Sequence, residues 1–183
     1  MKIIYINKNP LDSQNLTHPF FFTMTSDHLN HFSIKNKIGP VLGLDLGIKK
    51  TGVAIGNNEL KTSENLTTIT AKNKDERLKK IKEIVDQWQP IYIVIGLPTN
   101  QDDSMSAVSR FCLNTGKEIK NKLNIPVVFT NENYSSTEAE GFIENHLNLN
   151  LRKNDDLIDQ LSADIILQTH FNEIDSLNST EKI

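Results

Sequence analysis

The feature that most constrains the fold is an uninterrupted apolar run of strand length, IYIVIG, at residues 91–96. Its β-branched residues and its lack of polar alternation are typical of a strand that is covered on both faces. Strands of this kind belong to sheets whose parallel strands are connected by helices that pack on either side. The run therefore predicts an α/β fold.

Helices are predicted on both sides of this strand. Residues 74–88 form an amphipathic helix that ends before Pro90, and another helix follows the strand. The predicted inward-facing residues of these two helices are Leu78, Ile81, Val85 and Trp88 in the first and Met105, Val108, Cys112 and Ile119 in the second. A further strand, PVVFTN (126–131), precedes two more helices. The first of them opens with the capping-box pair Ser135 and Glu138. The last begins near Asp155 or Asp156, with a predicted apolar stripe of Ile158, Leu161 and Ile165.

Three short strands are predicted before the first helix. VLGLDL and GVAIGN are joined by GIKKT, and LTTITA follows the turn signal Gly56-Asn57-Asn58. The later strands are separated by helices long enough for parallel crossovers. We therefore expect a mixed five-stranded sheet flanked by helices.

The length of 183 residues favours a single domain. Residues 1–39 show no clean periodicity and are interpreted as an irregular N-terminal extension, 40–173 as the domain and 174–183 as a C-terminal tail. A net charge of -3 gives no global basic signature for nucleic-acid binding, although a local basic patch remains compatible with it. With one cysteine, Cys112, and no long apolar segment, we expect a cytoplasmic protein without a disulfide or a membrane anchor.

Three carboxylates stand out as candidates for a metal site. Asp45 interrupts an apolar strand, where burial of a carboxylate is costly unless it is paired or bound to metal. Glu132 follows PVVFTN, at the end of a strand where α/β sheets place ligand groups. Asp159 shares a helix face with small residues such as Ser162 and Ala163, which would let that helix approach the sheet closely. We expect the three carboxylates to converge.

Oxygen ligands without a cysteine or histidine set indicate Mg²⁺ or Mn²⁺ and the hydrolysis of a phosphodiester. Cations are then needed to offset the repulsion between these acids and a nucleic-acid backbone. Lys49 and Lys50, directly after Asp45, are the nearest candidates. The cations around the first helix alternate with acids, so a solvated helix face is the favoured interpretation of that set: Lys72, Lys74, Arg77, Lys79, Lys80 and Lys82.

Four segments, in order, resemble the YqgF or RuvX family of RuvC-like nucleases, over about residues 40–173. They are LGLDLGIKKTGVAIG, VIGLPTN, NENYSSTEA and DQLSADIIL. The resemblance implies a ribonuclease H-like fold, with Asp45, Glu132 and Asp159 as the acidic catalytic and metal-binding set. It also implies nucleic acid as partner, with Lys49, Lys50, Asn100 and Ser135 as substrate-binding candidates. The expected substrate is the 5′ end of precursor 16S rRNA on a ribosomal subunit.

Two other functions stay open at this level. Resolution of branched DNA, the Holliday junction, would normally require a homodimer, and the sequence does not distinguish this state from a monomer. A nucleic-acid- or ribosome-binding protein without catalysis is a credible alternative because of Asn131 and Asn133, which stand where the family commonly has Asp and Arg. An actin-like ATPase or sugar kinase, which also opens with a D-x-G hairpin, would need a second domain that this length does not provide.

Overall fold

The structure is a computed structural model that describes residues 4–5, 37–98, 106–131 and 155–180. Its elements run in the order β1 (Ile4–Tyr5), β2 (Pro40–Leu46), β3 (Lys50–Asn57), β4 (Thr62–Thr70), α1 (Lys74–Trp88), β5 (Tyr92–Leu97), α2 (Ala107–Leu123), β6 (Val127–Asn131) and α3 (Asp155–Thr180). The strands form one sheet in the order β1-β6-β5-β2-β3-β4. The β2–β5 and β5–β6 pairs are parallel and the other three pairs are antiparallel.

The mixed five-stranded sheet expected from the sequence is confirmed, in strands β2 to β6. The two-residue strand β1 adds a sixth strand at the edge, where it pairs with β6. It comes from the segment interpreted as an irregular extension. Helix α3 continues to Thr180, so residues 174–180 of the predicted tail are helical. The helix predicted to open at Ser135 lies outside the described residues.

Local sequence explains where the first two helices begin and end. The side chain of Asn73 accepts a hydrogen bond from the amide of Glu76, which caps the start of α1. Ser106 and Ser109 form a reciprocal capping box at the start of α2. Gln89 and Asn124 adopt left-handed backbone conformations where the two helices end.

The sheet has an apolar core on each face. Alternate residues of the strands, among them Leu44, Ile95 and Phe129, pack with α1 and α2. The opposite residues, among them Val94 and Val128, pack against Ala163, Leu167 and Phe171 of α3. Since Leu44 faces the first core, alternation puts Asp45 on the face covered by α3. No described helix has the length and apolarity needed to cross a membrane.

Two inward-facing residues were predicted wrongly. Val108 is 41% exposed because it lies in the first turn of α2, on the side away from the sheet. Ile158 is 37% exposed because α3 packs through a different stripe. That stripe contains Ala163, Ile166, Leu167, His170 and Phe171. The small residue Ala163 belongs to it, as the expected close approach of this helix requires.

Candidate metal and phosphodiester site

Asp45 occupies the next-to-last position of β2, in the hairpin that β2 forms with β3. It pairs directly with Gly52 in the antiparallel register. The side chain is partly buried and lies beneath α3, since Ser162 of that helix hydrogen-bonds to it. The carboxylate predicted from an interrupted apolar strand therefore lies between the sheet and a helix.

Helix α3 reaches Asp45 because the strands below it carry glycine. A Cβ atom at Gly52 would be 1.7 Å from the backbone oxygen of Asp159. At Gly43, a Cβ would be 2.8 Å from the backbone oxygen of Ala163. Both positions tolerate the helix backbone only because they lack a side chain. This packing brings Asp159 next to the residue that pairs with Asp45.

The two carboxylates interact electrostatically. Burial, followed by repulsion from Asp159, raises the pKa of Asp45 to about 6, and the hydrogen bond from Ser162 opposes this rise. The ionised form of Asp45 next to Asp159 is therefore unfavourable in the absence of a cation. A divalent cation would relieve both the desolvation and the repulsion.

Lys50, the first residue of β3, lies near the start of α3. Its ammonium group is 2.8 Å from a carboxylate oxygen of Asp156, one helical turn before Asp159. The start of α3 is also tied to β4, because the hydroxyl of Thr68 donates to the carbonyl of Asp156 at 2.7 Å. Lys49 is exposed in the hairpin, and its carbonyl accepts a hydrogen bond from the amide of Ala71 at 3.1 Å. Both lysines therefore lie at the end of the sheet that carries Asp45.

Three predicted site residues, Glu132, Asn100 and Ser135, lie outside the described residues. β6 is described as far as Asn131, which pairs with Leu97 at the end of β5. Within the described ranges, no group of three or more His, Cys, Asp or Glu side chains is placed to hold a metal ion. The structure thus brings together two of the three predicted carboxylates.

Sequence reasoning missed two residues of this region. Ser162 was noted for its small size and not as a hydrogen-bond partner of Asp45. Arg77 was included in a solvated helix face, and this was wrong, since it is only 4% exposed. Its guanidinium donates to the carbonyls of Gly47 and Ile48, in the loop that follows Asp45. The available signal was its position four residues before Ile81, on the apolar side of α1.

Two sequence comparisons relate the chain to known proteins. Residues 39–173 match the model of a family described as "RuvX: Holliday junction resolvase". A protein of Nitrosomonas europaea named "Putative pre-16S rRNA nuclease" is 34% identical over 133 residues, which cover 73% of this chain and 89% of that protein. A protein of the same name from Nitrosomonas eutropha is 35% identical, over 73% of this chain and 84% of its own length.

A likeness to a solved structure concerns the fold. Thermus thermophilus RuvC, solved in complex with a Holliday junction substrate, aligns with a TM-score of 0.51 at 15% identity. The alignment covers 75% of this chain and 96% of that one. RuvC-like architecture agrees with the expected ribonuclease H-like fold. The family match over residues 39–173 and the identity to relatives that are covered over most of their length show that the chain belongs to the RuvX family of nucleases, hydrolases that act on phosphodiester bonds.

Proposed function

We propose that this protein is a metal-dependent endonuclease that processes the 5′ end of precursor 16S rRNA in the cytoplasm. Asp45, Glu132 and Asp159 form its catalytic and metal-binding set, with Mg²⁺ or Mn²⁺ as cofactor. Lys49, Lys50, Asn100 and Ser135 contact the substrate. The observation that carries the proposal is that Asp159 lies close enough to Asp45 to add to the rise in its pKa that burial causes.

The chemistry of this pair fits a hard divalent cation. Both side chains offer carboxylate oxygens, which Mg²⁺ and Mn²⁺ prefer over softer ligands. Folding places Asp45 in a buried position next to Asp159 at a cost in free energy, because both surroundings disfavour the charged form of Asp45. Ser162 donates to Asp45, which favours the ionised form that a metal needs.

Strand alternation supports the third carboxylate. Val128 packs in the core beneath α3, and Thr130 hydrogen-bonds to Glu173 of the same helix. The even-numbered side chains of β6 thus face α3. If the alternation of the strand continued by one residue, Glu132 would face α3 as well. The parallel pairing of β2, β5 and β6 would then bring Glu132 to the same end of the sheet as Asp45.

The proposed site residues would have three different roles. Asp45, Glu132 and Asp159 would hold one or two cations, which supply Lewis acidity, activate water and stabilise the leaving oxygen. Lys49 and Lys50 would bind backbone phosphates and lower the repulsion between the acids and the substrate. Ser162 would keep Asp45 oriented and ionised at neutral pH.

The relatives named for pre-16S rRNA processing support RNA as the substrate, and the family description supports branched DNA as the second candidate. A cleavage assay would present the protein with two substrates, a precursor fragment that carries the 5′ extension and a four-way DNA junction. The matching controls are the mature RNA and a linear DNA duplex. Cleavage of the precursor alone supports rRNA processing, whereas paired cuts in the junction by a homodimer support resolution.

Catalysis is tested with Asp45→Asn, in Mg²⁺, in Mn²⁺ and in EDTA. Loss of several kcal/mol of transition-state stabilisation would lower the rate by about 100-fold or more. Asp164→Asn is the matched control, because Asp164 is a partly buried acid, in α3, that accepts a hydrogen bond from Ser63. Equal activity of wild type and Asp45→Asn would overturn the mechanism. Tight binding of RNA without cleavage by wild type would favour the non-catalytic alternative.

A further inference from the structure

Arg77 is a buried cation in a helix whose other cations are partly or fully exposed. It is 4% exposed, and its guanidinium carbon lies 5.1 Å from the ring centroid of Phe111. Its Nε atom has no hydrogen-bond partner among the described residues. Burial of a guanidinium with incomplete hydrogen bonding costs free energy, and an apolar residue of similar size is often at least as stabilising. Stability alone therefore explains this arginine poorly.

Among the described residues, the side-chain hydrogen bonds of Arg77 go to the loop after Asp45. One terminal nitrogen of Arg77 donates to the carbonyl of Gly47 at 2.9 Å and also to that of Ile48. The loop has little side-chain packing of its own, since Ile48 is 73% exposed and Gly47 has no side chain. Hydrogen bonds to its backbone must therefore fix its conformation.

The neighbouring carbonyls are held in the same way. The thiol of Cys112, in α2, lies 3.8 Å from the carbonyl oxygen of Leu46 as a weak donor, and the amide of Ala71 donates to the carbonyl of Lys49. Four consecutive carbonyls, from Leu46 to Lys49, thus accept hydrogen bonds from outside the hairpin. Arg77 accounts for the middle two, and it is the charged donor, which makes its hydrogen bonds the stronger ones.

We infer that Arg77 is a positioning residue that fixes the hairpin loop and thereby the metal ligand Asp45 and the phosphate-binding Lys49 and Lys50. The inference rests on the proposed function, because it assigns Arg77 a role toward that site. Arg77 itself contacts neither the metal nor the substrate. It acts through backbone carbonyls that begin two residues after Asp45 and end next to Lys49.

The test compares Arg77→Met and Arg77→Lys with Lys117→Met. The methionine keeps an apolar stem next to Phe111 and removes the donors. The lysine keeps the charge without the planar fork of the guanidinium. Lys117 is an exposed cation of α2, so its replacement changes the net charge equally and leaves the loop intact. Mn²⁺ affinity is measured by titration with paramagnetic resonance, and amide exchange is followed at residues 47–51, both well below the unfolding temperature.

We expect Arg77→Met to bind Mn²⁺ about 10-fold more weakly and to exchange the loop amides about 10- to 100-fold faster, in line with the loss of charge-assisted hydrogen bonds. Arg77→Lys should show a smaller change in the same direction. If the methionine variant does not fold, the Mn²⁺ affinity and loop exchange of Arg77→Lys provide the test. A purely structural role would lower the unfolding midpoint and leave the Mn²⁺ affinity of the folded protein unchanged, which would overturn the inference. If wild type binds no Mn²⁺, the proposed function is wrong. Loop amides that exchange equally fast in wild type and Arg77→Met would contradict the role of Arg77 independently of the metal.

Discussion

The backbone oxygen of Asp159 lies against Gly52 so closely that a Cβ atom on this glycine would be 1.7 Å from it. Gly52 is also the residue that pairs with Asp45 across the hairpin. Gly52 therefore helps to determine how near α3 comes to Asp45. The strength of the interaction between the two acids depends on this contact.

Gly52→Ala should displace α3 from the sheet. The new methyl group would overlap backbone atoms, which cannot rotate away, so we expect a loss of about 1–3 kcal/mol or more in the free energy of unfolding. Mn²⁺ affinity should fall as well, because Asp159 would move away from Asp45. Urea unfolding and metal titration measure the two effects. Gly39→Ala is the control, since its Cβ would meet a side-chain methyl group, Cγ2 of Ile91, at 3.2 Å and no backbone atom among the described residues. Equal losses in both variants would contradict the prediction.

Asp45→Asn should stabilise the metal-free protein at neutral pH. The pKa of Asp45 is raised to about 6 in the folded state, so the unfolded chain loses this proton at lower pH than the folded chain does. The stability that protonated Asp45 contributes is fully present below about pH 4 and is lost as the pH rises through 6. At pH 7 the variant should be more stable by on the order of 1–3 kcal/mol, and near pH 3 the two should agree.

Thermal unfolding in EDTA at several pH values measures this difference. Excess Mn²⁺ should reverse the order at pH 7, because the cation stabilises the wild-type pair by binding to the folded state. A variant that is less stable than wild type in EDTA at pH 7 would contradict the prediction.

His170 should produce the opposite dependence on pH. Burial, and then repulsion from Lys61, lowers its pKa to about 3, and its Nε2 lies 3.2 Å from the hydroxyl of Tyr92. The unfolded chain binds this proton below about pH 6.5, so stability falls as the pH drops from 6.5 toward 3. His170→Gln should flatten this acid limb in denaturant titrations. If the acid limb of His170→Gln is as steep as that of wild type, His170 is not its source.

Asp156→Asn should strengthen nucleic-acid binding. Asp156 forms an ion pair with Lys50 at 2.8 Å, so its neutralisation leaves the lysine with less competition for a phosphate. We expect a roughly 2- to 5-fold higher affinity at low salt and a salt dependence steeper by about one phosphate contact. Fluorescence anisotropy over a range of KCl concentrations measures both.

Asp175→Asn is the matched control for this variant. Asp175 pairs with Lys61 at 3.0 Å near the other end of α3, and its replacement changes the net charge by the same amount. An equal gain in affinity from both variants would show that net charge alone is responsible.

Strand and helix order could be predicted from the sequence because it depends on local periodicity. The uninterrupted run at 91–96 and the apolar spacing of residues 74–88 correspond to β5 and α1. The motif around Asp45 was also visible, since an acid in an apolar strand conflicts with its surroundings. These features can be predicted because the side chains that determine them are close together in the sequence.

The tertiary structure alone decided which residues face each other. Ile158 and Val108 fit the local pattern of a buried stripe and are nevertheless exposed, because the packing of each helix on the sheet selects the buried face. The sequence around Arg77 is typical of a surface helix, and Arg77 is buried because the hairpin loop packs against α1. The sequence by itself determined the order of the strands and helices, and it indicated Asp45 and Asp159 as candidate metal ligands. Their proximity arises from contacts between residues more than 100 positions apart, for which local periodicity carries no information.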